Sequence, residues 1–160
     1  MDPTLQGFTA FVRQKMGIPA TILPDGDSCI EAAFWAAMTI CNPYLQLICN
    51  PDPAKATNTY FTWMVYNLGG DFLVRYAVDN PALTPPNDTY FQTLRQKMGM
   101  NTVTPGMIQS SSDQGTSVSY MIPGWYQDMT LKDQMLLQTP WGSAYLMLAQ
   151  AYGPTIWGLT

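Results

Sequence analysis

Twenty consecutive residues, 32–51, carry no charged side chain. Ile30, Ala33, Phe34, Ala37, Met38, Cys41, Leu45 and Ile48 recur through this region at helical intervals, and Trp35, Ala36, Ile40 and Leu47 fill the other side. A helix that is apolar nearly all round must be covered nearly all round. Ser28 followed three residues later by Glu31 predicts its start as a capping box, and Pro43 predicts a kink or split. The run has the length of a membrane span. Asn42, Pro43, Gln46 and Asn50 interrupt it, however, and no Lys/Arg cluster flanks it. A buried helix over 28–49 is therefore expected, with no membrane role.

The rest of the chain shares this poverty of charge. Charged residues make up 11% of the 160, against about 25% in an average soluble chain. A small domain exposes proportionally more surface than a large one and should need more charge, not less. Aromatic and Met side chains are enriched where proteins meet, whereas Lys, Glu and Asp are depleted there. This chain has five tryptophans, nine tyrosines, six phenylalanines and eleven methionines, with a single glutamate, Glu31. The composition predicts a subunit whose exterior is largely covered by other protein.

The net charge of −4 argues against binding a phosphate backbone as the main task. There is no histidine, which removes His-based triads, most zinc sites and the commonest general base. Ser110–Ser112 beside Asp113 lack a nucleophile elbow, and Ser–Lys chemistry would need Lys97 or Lys132 close by. The pairs Asp25/Asp27 and Asp128/Asp133 read as turn and cap residues rather than as glycosidase or calcium carboxylates. No enzyme, metal or cofactor is expected. Cys29, Cys41 and Cys49 fit neither a zinc pattern nor a closed disulfide set, so reduced thiols are expected. Met1-Asp2-Pro3-Thr4 has no basic or apolar leader character, so no signal peptide is expected.

Along the chain, a helix over 4–16 carries Leu5, Phe8, Phe11, Val12 and Met16, with Gly17 and Pro19 as its stop. Pro24-Asp25-Gly26 reads as a turn. A second long apolar segment, 54–76, presents Phe61, Met64, Val65, Leu68, Phe72 and Tyr76 as one stripe. Gly69-Gly70 inside it predicts a bend or a close helix approach. Residues 79–88 are a proline-rich connection to a short helix at 88–98. Arg13-Gln14-Lys15-Met16-Gly17 recurs as Arg95-Gln96-Lys97-Met98-Gly99, which reads as two helices ending alike. Residues 102–122 read as a hairpin or extended arm with a polar tip. Thr130 with Asp133 caps a short helix, and Thr139-Pro140 opens the last one. Residues 153–160, with Trp157 and no charge, should dock rather than dangle. The fold class expected is mainly α: one helical domain over 1–160, a helical bundle with one β-hairpin or extended arm and a C-terminal docking tail.

Three stretches resemble a group of small structural proteins of tailed bacteriophages, the head-to-tail adaptor or neck type. They are Val65-Tyr66-Asn67-Leu68-Gly69-Gly70-Asp71, the loop Gln109-Ser110-Ser111-Ser112-Asp113-Gln114-Gly115-Thr116-Ser117, and the ending Thr139-Pro140-Trp141-Gly142 followed by Tyr145, Tyr152-Gly153 and Trp157-Gly158. The resemblance implies a virion subunit in a ring, commonly twelve-fold, that joins the portal protein to a tail or nozzle protein. Such a ring continues a channel through which DNA passes without specific binding. It implies a portal-docking tail of Trp141, Tyr145, Tyr152, Ile156, Trp157 and Leu159. It also assigns Gln109, Ser110, Ser111, Ser112, Asp113, Gln114, Gly115 and Thr116 to an inter-subunit arm. A basic residue often follows the Trp-Gly pair in that family; Ser143 stands there instead, so no charge contact is expected at that spot. The alternative is another virion component, a tail-completion or head-decoration protein.

Overall fold

The structure is a computed structural model and describes residues 2–41, 59–100, 110–113, 116–119 and 130–152. It is mainly helical. Helix α1 spans Leu5–Gln14, α2 Ser28–Ile40, α3 Thr59–Tyr76, α4 Tyr90–Lys97, α5 Leu131–Leu136 and α6 Pro140–Tyr152. A 3-10 turn, Asn87–Thr89, leads into α4. Strands β1 (Ser110–Asp113) and β2 (Thr116–Ser119) pair antiparallel, with Ser111 opposite Val118. The rest of the 102–122 segment, the stretch 42–58 with its expected kink at Pro43, and residues 153–160 lie outside the described residues.

Three helix starts, those of α1, α2 and α5, have a local cause. Thr4 accepts the Gly7 amide at 3.1 Å and opens α1. At α2 the expected Ser28–Glu31 box is not the cap. Asp27 stands one residue earlier and accepts the Cys29 amide at 2.8 Å. Its carboxylate is the stronger acceptor at a helix N-terminus, where the dipole also favours negative charge. The α4 start is held from a distance: Asp79 accepts the amides of Phe91 and Gln92 at 2.6 and 2.9 Å. Both carboxylate oxygens are used, so the proline-rich connection between them closes on itself. Thr130 accepts the Asp133 amide at 3.3 Å and opens α5 as its spacing predicts.

The repeated Arg-Gln-Lys-Met-Gly also has a local cause. Gly17 and Gly99 both sit at φ 69°, the left-handed position that ends a helix cheaply only at glycine. Both arginines reach backbone carbonyls. Arg13 donates to Ile18 O at 2.8 Å and to Asp25 at 2.9 Å. Arg95 donates to Val74 O at 2.8 Å and to Ala77 O, covering the last carbonyls of α3.

Helix α3 is the central element, with α2 packed along it on one side and α6 on another. Its Gly69-Gly70 pair lies inside one continuous helix. A Cβ on Gly69 would lie 2.9 Å from the Phe8 ring, and one on Gly70 would lie 3.2 Å from Met16 Sδ. The pair thus marks close approach of α1. Phe8 sits fully buried among Phe11, Phe34 and Tyr66, with ring centroids 5.8–6.3 Å away. The Tyr66 hydroxyl brackets the start of α1, donating to Thr4 O at 3.1 Å and accepting Thr4 N at 3.2 Å. Phe91, Leu136 and Leu146 join the same continuous core.

Glycine replacement tests this packing. Gly69→Ala is expected to cost about 1–3 kcal/mol, because the Phe8 ring must move within a filled core. Gly26→Ala, with open space around it, is expected to stay within about 0.5 kcal/mol. Urea unfolding of the two variants measures both.

Candidate functional site

Two features stand out: a buried polar joint that fixes the C-terminal helices, and an uncharged groove on another side of α3. The joint centres on Asp71, whose side chain has no exposed surface. Arg75, one helical turn on, meets it in a two-pronged ion pair, Nε to Oδ2 at 2.7 Å and Nη2 to Oδ1 at 3.1 Å. The same guanidinium donates to Gln138 Oε1 at 3.3 Å and to the carbonyl of Met135. Thr139 Oγ1 donates to Asp71 Oδ1 at 2.5 Å and accepts the Gly142 amide at 2.8 Å, which opens α6. A Cβ on Gly142 would lie 2.2 Å from Leu136 O and 2.9 Å from Asp71 Oδ1. Only glycine lets the turn between α5 and α6 close over the carboxylate.

This joint unites Gly70-Asp71 with Thr139-Pro140-Trp141-Gly142, parts of two stretches that are 68 residues apart at Asp71 and Thr139. Trp141 and Tyr145, grouped by resemblance with the tail, are partly buried and packed against the core. Burial pushes the Tyr145 hydroxyl up to about 12, with smaller contributions of the same sign from Cys41 and Asp133. Tyr152 ends α6. Ile156, Trp157 and Leu159 lie outside the described residues, as do Gln109, Gln114 and Gly115. Ser110, Ser111, Ser112 and Asp113 make up β1, and Thr116 begins β2.

The groove runs between α2 and α3. Cys29, Ala32, Ala33, Ala36 and Ile40 form one wall, and Phe72, Leu73, Tyr76 and Ala77 the other, enclosing about 340 Å³. None of the nine carries a charge. Ile40 and Tyr76 are exposed, 45% and 70%, and Trp35 and Val78 are further exposed apolar side chains on or next to these helices. Burial pushes the Cys29 thiol up, so it stays protonated and adds no charge to the wall.

Of the paired carboxylates considered for catalysis, Asp128 lies outside the described residues and the other three have structural partners. Asp25 pairs with Arg13 at 2.6 Å, Asp27 caps α2, and Asp133 accepts the Thr130 hydroxyl at 2.7 Å. Among the described residues no cluster of three or more His, Cys, Asp or Glu is placed to hold a metal ion. Among those residues, too, no helix is long and apolar enough to cross a membrane. Sequence reasoning missed both Asp71 and the groove. The signal for the first was one acid inside an otherwise apolar stripe; for the second it was the small residues at 29, 32, 33 and 36.

Substitutions at the joint separate its parts. Asp71→Ala leaves Arg75 without its partner in a nearly closed site and is expected to cost about 3–5 kcal/mol. Thr139→Val is expected to cost about 1–3 kcal/mol, because it strips a partner from a buried carboxylate. Thermal unfolding checks the order. The Tyr145 shift adds a pH test. The unfolded chain releases that proton first, near 10, so this contribution to stability is present below pH 10 and is lost as pH rises through about 12. Tyr145→Phe should remove that part of the alkaline loss, read by unfolding at pH 8 and pH 11.

Compared with known proteins, the chain matches no family model, no curated protein and no solved structure.

Proposed function

We propose that this protein is a non-enzymatic structural subunit of an obligate assembly, specifically a ring subunit in a bacteriophage neck that joins portal to tail. The observation that carries the assembly reading is the uncovered apolar surface on α2 and α3. Ile40 and Tyr76 are exposed in the walls of a groove without charge, and Trp35 and Val78 are further exposed apolar side chains on or next to these helices. Isolated monomers rarely leave large contiguous apolar patches in water. Interfaces are where such side chains concentrate.

The neck assignment rests on the sequence resemblance, in which the Val65–Asp71 and Gln109–Ser117 stretches and the ending from Thr139 occur in order. In this reading a helical bundle forms the body of the ring, and the segment around 109–116 reaches a neighbouring subunit. The residues after Gly153 dock on a neighbouring protein. The acidic balance, −4 over the chain, suits a channel wall that DNA passes without adhering, since like charge repels phosphate. Localisation in the virion follows from the same reading.

The purified chain at micromolar concentration is expected to form a closed oligomer with interfaces of about 2,000 Å² or more. Mass measurement gives its copy number, and a density map of the assembled particle gives its position. A chain that remains a well-folded monomer at about 100 μM, alone and mixed with portal and tail proteins, overturns the assembly reading. A position on the capsid exterior or at the tail tip replaces neck with decoration or tail completion.

A further inference from the structure

We propose that the groove between α2 and α3 receives residues 153–160 of a second copy of this chain, with Trp157 as the anchor. The inference rests on the assembly reading above and names what covers its apolar face.

Chemistry and length support the match. The groove walls carry no charge, and neither does Gly153-Pro154-Thr155-Ile156-Trp157-Gly158-Leu159-Thr160. From Cys29 to Ile40 the groove follows eleven residues of α2, about 16 Å at the helical rise. An extended segment from Ile156 to Thr160 spans about 14–17 Å, which matches the trough in length. A tryptophan buries about 150–250 Å², and the 340 Å³ enclosed volume is of ligand-pocket size. Small side chains at Ala32, Ala33 and Ala36 leave that room, and the exposed Tyr76 and Ile40 flank it.

Geometry selects a second copy over the same chain. Successive residues of a helix turn by about 100°. Asp71 and Arg75, which face the start of α6, therefore lie about 150° around α3 from the centre of Phe72, Leu73, Tyr76 and Ala77. The start of α6 and the groove thus face different sides of α3. With side chains a helix is about 10–12 Å across, so half its girth is about 17 Å. Trp157 lies five residues beyond the end of α6 at Tyr152, a reach of about 17 Å. A same-chain Trp157 would have to round α3 and also travel back along it. Tyr145 lies near Cys41, whereas Cys29 lies beside Val78, twelve residues or about 18 Å away along α2; the two together exceed its reach. The segment of a neighbouring copy needs no such detour.

Cys29 lines the groove and provides the reporter. The full chain carrying Ile156→Cys is oxidised with diamide and run on a non-reducing gel, beside the same variant with Cys29→Ser. The expected result is a disulfide-linked dimer or longer ladder, reduced at least tenfold by Cys29→Ser. A synthetic peptide of residues 153–160 should suppress the ladder, and Ala32→Glu, at an exposed groove position, should weaken capture of that peptide at least tenfold. A Cys29-dependent link confined to single chains overturns the second-copy assignment. An oligomer that assembles normally but yields no Cys29-dependent link overturns the groove assignment while leaving the assembly reading intact. A full chain that never assembles overturns both.

Discussion

A carboxylate without exposed surface, Asp71, governs how the two halves of this protein meet. Removing a charge from water is costly unless paired and hydrogen-bonded partners replace the lost hydration. Asp71 has two charged contacts from Arg75 and a hydroxyl from Thr139. Arg75 in turn reaches Gln138 and the Met135 carbonyl. Because the acid and base lie on α3 and their other partners on the α5–α6 turn, the cluster is complete only when that turn is seated. Leu136 and Leu146 then join the core that α1, α2 and α3 build. A register error at this joint would strand a charge, so the polar cluster selects one docking of the C-terminal helices where apolar contact alone would accept several.

The two glycine positions at contacts with α3 act together with that cluster. Gly69-Gly70 allows α1 to lie against α3, and Gly142 allows the α5–α6 turn to close on Asp71. Both are close approaches made on ordinary backbone, unlike Gly17 and Gly99, which supply a left-handed φ at helix ends. With α1, α2 and α6 arranged about α3, the groove is the strip of the α2–α3 seam that none of the described helices covers. Small alanines on one wall and large aromatics on the other give it depth.

Much of this was legible in sequence, and the failures have physical reasons. The helices at 4–16 and 88–98 were readable from periodicity, and Gly17, Thr130 and Thr139 because cap chemistry is local. In 54–76 the expected stripe holds at Phe61, Met64, Val65 and Leu68 but not at Tyr76, which is exposed, because α3 is packed by helices on several sides rather than along one face. The start of α2 was misread because Ser28 and Glu31 satisfy a spacing rule, while the neighbouring Asp27 is the better acceptor. Asp79 was hidden because its amide partners lie 12 and 13 residues away. The role of Asp71 was hidden for the same reason at greater distance: Asp71–Arg75 alone looks like an ordinary surface pair, and Thr139 becomes its neighbour only in three dimensions. Trp141 and Tyr145, which the resemblance grouped with the tail, are partly buried against the core.

The arginines carry one last implication. There are three in the chain, at 13, 75 and 95, and each is engaged with backbone carbonyls of its own fold, two of them also with an acid. Lys15 and Lys97 expose their ammonium groups at the ends of separate helices. Guanidinium is the group that grips a phosphodiester with two parallel bonds, whereas ammonium acts as a point charge. The three guanidinium groups are committed to this chain's own carbonyls and acids, where they hold helix ends and the C-terminal joint.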